Sequence, residues 1–161
     1  MLNIISIKEP EEIQVLDSGY VPFIAEFKKQ KISVPLYWRT GNFKDTLIEI
    51  AINPDSGCIS EISIVMLKSI SSIADIHLDE LLIESFLPII DVTGWPEDRF
   101  LDVESDFEVY GSHKYLRVMF FKKEKITKIY RSFSVDFLVG KGDKLIGIGV
   151  AGVNIKEISL D

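Results

Sequence analysis

Apolar and polar residues alternate through most of this chain, at the period of two that sends successive side chains to opposite faces of a strand. Leu2, Ile4, Ile5 and Ile7 open the pattern and predict a short first strand. Glu9 to Leu16 reads as one or two helical turns, with Pro10 placed where a helix start tolerates it. Phe23, Ala25 and Phe27 alternate with Ile24 and Glu26, and Lys31 to Arg39 puts Ile32, Val34, Leu36 and Trp38 on one face. Pro35 interrupts that second run. Proline has no N–H for a ladder, so the run predicts an edge strand or a bulge.

The clearest unit comes next. Thr46 to Asn53 places Ile48, Ile50 and Ile52 on one face. Ile59 to Leu67 places Ile62, Ile64 and Met66 on one face and Ile59, Val65 and Leu67 on the other. Between them lies Pro54-Asp55-Ser56-Gly57. Proline presets φ, aspartate bonds nearby backbone and glycine accepts a positive φ, so the pair predicts a hairpin. From Ser69 to Phe100 the pattern loosens. Ile73, Ile76, Leu81 and Leu82 fit either a short amphipathic helix or an extended segment, and Pro88, Gly94 and Pro96 break the stretch beyond it.

Regular alternation returns after Leu101. Phe107 and Val109 lead to a turn at Gly111-Ser112, and Leu116, Val118 and Phe120 lead to a charged turn over Lys122 to Lys125. Ile129, Phe133, Val135, Phe137 and Val139 form one long alternating run containing Arg131. Gly140-Lys141-Gly142-Asp143 then turns the chain into Leu145, Ile146, Ile148 and Val150. A meander of about four strands is predicted here. The whole reads as one mainly β (β-rich α+β) domain over residues 1–161. Its expected form is an antiparallel sheet of hairpins or a meander, built as a sandwich or half-barrel with one or two short helices.

Composition leaves that picture intact and narrows the function. The chain has 161 residues, 47% of them apolar and 27% charged, enough for a core without covalent staples. Its net charge of −7 disfavours nucleic acid and anionic membranes as partners, because both are bound through Lys and Arg. Cys58 is the one cysteine, so no internal disulfide can form. No secretory signal is read at the N-terminus, and no apolar run reaches the ~20 residues a spanning helix needs. A cytoplasmic location is expected.

Candidate chemistry is sparse. Gly147-Ile148-Gly149-Val150-Ala151-Gly152 matches the dinucleotide fingerprint in letters, but Val153 to Asp161 is too short for the helix and acidic residue that motif requires. A glycine-bearing strand end with close backbone approach is the better reading. Gly140 to Lys144 lacks phosphate-loop spacing and reads as a hairpin turn. Asp75, His77 and Asp79 share one face if extended, a composition able to ligate a metal, although a solvated polar face is the favoured reading. His113 has no second histidine at helical spacing. Cys58 has no neighbouring histidine and reads as a small strand residue. Neither a catalytic residue nor a cofactor or metal site is assigned, and an enzyme is not expected.

Charge distribution is more informative. Asp75, Asp79, Glu80, Glu84, Asp91, Glu97, Asp98, Asp102, Glu104, Asp106 and Glu108 crowd one segment, relieved only by Arg99. The sign then reverses through Lys114, Arg117, Lys122, Lys123, Lys125, Lys128 and Arg131. Either the two segments neutralise each other across strands, or the acidic one forms a surface for a basic protein. On the second reading the partner-binding residues are Asp91, Trp95, Glu97, Asp98, Asp102, Glu104 and Asp106. Trp95 and Phe100 then serve as aromatic anchors, whereas Phe107 is better read as core.

The hairpin from Phe133-Ser134-Val135-Asp136-Phe137-Leu138-Val139 to Leu145-Ile146-Gly147-Ile148-Gly149-Val150 resembles the closing strands of some immunity proteins that neutralise bacterial polymorphic and contact-dependent toxins. The likeness spans about 20 residues of hydrophobic pattern and a turn. It implies a small cytoplasmic inhibitor that blocks a basic toxin domain, such as a nuclease, and carries over no catalytic residue. Two other readings compete with it. One is a small enzyme or ligand-binding β barrel, which requires a concave pocket with converging polar groups. The other is a structural or oligomerising module pairing through strand edges.

Overall fold

The structure is a computed structural model and describes residues 1–16, 21–28, 34–67, 81–112 and 114–153. Its elements are β1 (Leu2–Lys8), β2 (Ile13–Leu16), β3 (Phe23–Phe27), β4 (Leu36–Gly41), β5 (Leu47–Ile52), β6 (Ile59–Met66) and β7 (Leu82–Glu84). They continue with β8 (Leu87–Ile90), β9 (Phe100–Glu104), β10 (Glu108–Ser112), β11 (Tyr115–Met119), β12 (Lys128–Ser132), β13 (Val135–Gly140) and β14 (Lys144–Ala151). Among the described residues there is no helix. The expected helical turns over Glu9 to Leu16 are therefore corrected: Ile13 to Leu16 pairs with Ile24 to Phe27 as an outer strand, where ladder bonds replace helical ones. Ile73 and Ile76 lie outside the described residues, while Leu82 belongs to strand β7.

Two sheets share one core. The six-stranded sheet runs β2-β3-β6-β5-β4-β9, and the eight-stranded half-barrel sheet runs β10-β11-β14-β13-β12-β7 with β1 and β8 attached. Most pairings are antiparallel, but β4 with β9 and β12 with β7 are parallel. The inner rows of the smaller sheet are Ala25, Ile62, Ile50, Trp38 and Leu101, then Phe23, Ile64, Ile48, Thr40 and Val103. They pack against Val135, Phe137, Val139, Leu145, Ile148 and Val150 of the larger one. Phe27 meets Phe137 at 6.1 Å between ring centroids and Trp38 meets Phe120 at 5.0 Å, which ties the two layers together.

The β5–β6 hairpin forms as predicted. Gly57 has φ 70°, and its N–H donates to Asn53 O at 2.9 Å. The side chain that anchors the turn is Asn53 rather than Asp55: its Oδ1 accepts the N–H of Asp55 at 2.8 Å. A register shift between Ala51 and Ile52 leaves Ser60 as the extra residue and turns Ile59 inward beside Ile62 and Ile64, correcting its expected outward placement.

Pro35 stands just before β4, so that strand keeps its ladder and lies between β5 and β9 rather than at an edge. The long run from Ile129 to Val139 is likewise two strands. Phe133 takes φ 54° at a two-residue turn and is 60% exposed, and Ser132 pairs with Val135. Of the predicted four-strand meander in this half of the chain, β12, β13 and β14 form three strands. The β10–β11 hairpin attaches to β14, which gives the order β11-β14-β13-β12 of a Greek key. Close approach explains two glycines of β14. A Cβ on Gly147 would lie 2.4 Å from Val118 O, and one on Gly149 would lie 1.9 Å from Tyr115 Oη.

Candidate functional site

The outward face of the six-stranded sheet is set by its register. One row reads Gln14, Glu26, Glu61, Ala51, Tyr37 and Phe100; the next reads Leu16, Ile24, Ser63, Glu49, Arg39 and Asp102. Glu104 extends the face beside Gly41. Because strands alternate sides, the same registers that bury Ile50, Ile62 and Trp38 force Glu26, Glu49, Glu61, Asp102 and Glu104 together outside. Arg39 is the cation of these described positions. Its Nε and Nη2 donate to Asp102 Oδ1 and Oδ2 at 2.7 and 2.8 Å.

Like charge at close quarters marks the face. Burial raises the Glu49 carboxyl above its ordinary range; Arg39 pulls it down, and the charges of Glu61 and Asp102 push it up again. Burial, then Glu61 and Glu49, raises the Tyr37 hydroxyl. The Asp102 hydrogen bond raises the Arg39 guanidinium against its desolvation, helped by the charges of Asp102, Glu49 and Asp98. Tyr37 and Phe100 stack with centroids 5.3 Å apart, and the Arg39 guanidinium lies 4.4 Å above the Phe100 ring. Glu26, Phe27, Lys28, Pro35, Tyr37, Ala51, Ser60 and Glu61 border a half-open concavity of about 250 Å3. Enclosed small-molecule sites are larger, about 300–1,000 Å3, and mostly apolar.

The expected partner-binding residues divide. Asp102 and Glu104 lie on this face, and Asp98 sits at its margin, where Oδ1 accepts the Phe100 N–H at 3.3 Å. Glu97 is exposed in the same loop. Trp95 is half-buried against the core and donates from Nε1 to Arg99 O at 3.1 Å, so it props the loop that enters β9. Asp91 lies just past β8, its Oδ1 accepts the Thr93 N–H at 2.9 Å, and the Thr93 hydroxyl, then that N–H, hold its carboxyl below the usual range. Asp106 lies between β9 and β10 and meets Lys122 Nζ at 2.7 Å, at the end of the β10–β11 hairpin.

Acidic and basic segments thus touch at Asp106–Lys122. Asp102 instead turns to Arg39, Arg131 to Asp136 and Lys128 to Asp143. Glu26, Glu49 and Glu61 escaped the sequence reading because they are distant in the chain and meet only through strand pairing. Their signal was present: each is the acidic member of an alternating run already recognised as a strand. Phe107 is buried, as expected.

Cys58 is buried, with Sγ 3.7 Å from Lys8 Nζ, and Lys8 also donates to Glu11. Desolvation works against the Lys8 ammonium, but the Glu11 hydrogen bond and the pull of Cys58 raise its pKa. Asp75, His77, Asp79 and His113 lie outside the described residues. Among the described residues no His, Cys, Asp and Glu side chains gather into a metal-binding group, and no helix is long and apolar enough to cross a membrane. No protein-family model and no curated protein sequence matches this chain.

Proposed function

We propose that this chain is a protein-binding module whose acidic sheet face receives a basic protein, acting as an immunity-type inhibitor of a basic toxin domain such as a nuclease. The observation that carries this reading is the gathering of Glu26, Glu49, Glu61, Asp102 and Glu104 on one outward sheet face, where Arg39 pairs with Asp102. Such a field steers a cationic partner and selects it over neutral ones, speeding association by about 10–10³-fold. The stacked Tyr37 and Phe100 add apolar contact within the charged field, the composition of an interface anchor. The hairpin that resembles immunity proteins builds the core of the opposite sheet, so recognition rests on the face rather than on that hairpin.

The test is the association rate, measured by stopped flow, with a basic protein that the chain captures from its source cell at low salt and releases at high salt. Reversing Asp98, Asp102 and Glu104 to lysine is expected to slow association at least tenfold near 0.1 M salt. The difference should collapse near 1 M, where the Debye length falls from about 10 to about 3 Å. An association rate untouched by the reversal, with the variant folded, would overturn the proposal.

A further inference from the structure

Strand β9 ends its sheet, and its ladder shows which of its backbone groups face outward. Tyr37 N–H donates to Arg99 O at 2.8 Å, Thr40 Oγ1 donates to Val103 O at 2.9 Å, and Ser105 N–H donates to Gly41 O at 3.0 Å. In a parallel pair, alternate residues of one strand bond its neighbour. Arg99, Leu101, Val103 and Ser105 therefore face β4, while the backbone groups of Phe100, Asp102 and Glu104 point away from it. Asp98 takes the Phe100 N–H, and among the described residues no strand pairs with that edge.

Side chains along this edge define what fits it. Leu101 and Val103 turn toward the core but are only half-buried, packed on it from one side. Asp102 and Glu104 are exposed on the opposite face. An added strand would set one of its faces beside Leu101 and Val103 and the other beside the two carboxylates. Natural sheets blunt such edges with prolines, bulges, short strands or charged side chains; β9 has no proline or bulge, and its two charges, Asp102 and Glu104, are both acidic, so they oppose an acidic strand and admit a basic one.

We propose that β9 takes up one extended segment of the basic partner by strand addition, and that the segment alternates apolar residues with Lys or Arg. This rests on the acidic-face reading and names how the partner docks. Charge complementarity selects the occupant: Arg39 already pairs with Asp102, and a neutral or acidic strand would bring no counter-charge to Asp98 and Glu104.

The probe is a seven-residue peptide alternating Lys and Val, with binding to the intact chain read by fluorescence anisotropy. N-methylating one alternate set of its amides is expected to weaken binding at least tenfold, and methylating the other set less than threefold, because only one set faces β9. On the protein, Asp102→Pro removes an outward N–H at an edge position where proline is tolerated. It is expected to bind at least tenfold more weakly than Asp102→Ala, which loses the same carboxylate. No binding at millimolar peptide, or equal effects of the two methylation sets, overturns strand addition. Glu49→Gln, Glu61→Gln and Glu104→Gln separate the two readings. If they weaken the peptide while the methylation sets act alike, the acidic face stands and the edge falls. If they change nothing while one methylation set abolishes binding, the edge stands and the charge-steered reading falls.

Discussion

Gly149 offers a sharp test of the packing on the outer side of the large sheet. Asp136 is 2% exposed, and its carboxylate accepts Arg131 Nε at 2.6 Å, Arg131 Nη2 at 2.9 Å and Tyr115 Oη at 2.9 Å. The Tyr115 hydroxyl lies where a Cβ on Gly149 would go, 1.9 Å away, with Tyr115 Cζ at 2.6 Å and Asp136 Cβ at 3.2 Å. Gly149→Ala therefore forces the ring aside and breaks the Tyr115–Asp136 bond. A hydrogen bond to a charged group contributes about 1.5–3 kcal/mol. The lower chain entropy of alanine in the unfolded state returns about 0.4–1 kcal/mol. The net expectation is a loss of about 0.5–2.6 kcal/mol. With a urea m-value of about 1–3 kcal/mol/M, that lowers the midpoint by about 0.2–2.6 M at unchanged m. In a Tyr115→Ala background the ring is gone and only the Asp136 Cβ contact at 3.2 Å remains, so the loss from Gly149→Ala shrinks to about 0.5 kcal/mol or less. Equal loss in both backgrounds would refute the steric account.

Three further outcomes are expected. Stability should fall as pH rises above about 10, because burial and the Asp136 charge raise the Tyr115 hydroxyl well above its ordinary value: its contribution is complete below the unfolded pKa and is lost as pH climbs toward the folded one. Lys128, raised chiefly by its bond to Asp143, adds loss in the same direction, and Tyr115→Phe should flatten part of the alkaline decline in chemical melts. Phe133→Gly should stabilise by about 1 kcal/mol, since an exposed side chain is held at φ 54°, where a non-glycine residue costs about 1–2 kcal/mol; a lower melting temperature would count against this. Arg39→Ala should change stability by no more than about 1 kcal/mol, because the Arg39–Asp102 pair is partly solvated, yet it should quicken capture of a cationic protein by removing a cation from the face. A slower rate would contradict the steering argument.

Local chemistry was legible wherever one signal acted alone. Pro54 to Gly57 and Gly140 to Asp143 are turns by their residue types, and both close hairpins. Phe23 to Phe27 alternates and is a strand with Phe23, Ala25 and Phe27 buried. Where two signals conflicted, pattern misled. Phe133 keeps the alternation running through a turn, because the step from β12 to β13 needs only two residues and the phenyl ring can sit in solvent. Ile13, Val15 and Leu16 lie too close to Glu9 and Pro10 to separate a helix start from a short strand by period alone.

By itself the sequence determined that the chain is mainly β, which residues form most strands, and that acid crowds the segment before β10. Alternation is a property of neighbours along the chain, so it needs nothing else to be read. Strand order, the two parallel pairings and the inward turn of Ile59 belong to the tertiary structure, because they depend on which strands lie side by side and where a bulge falls. The same holds for the acidic face. Glu26, Glu49 and Glu61 become one field with Asp102 and Glu104 only when strands far apart in sequence register against one another, since charges interact through space and not along the chain.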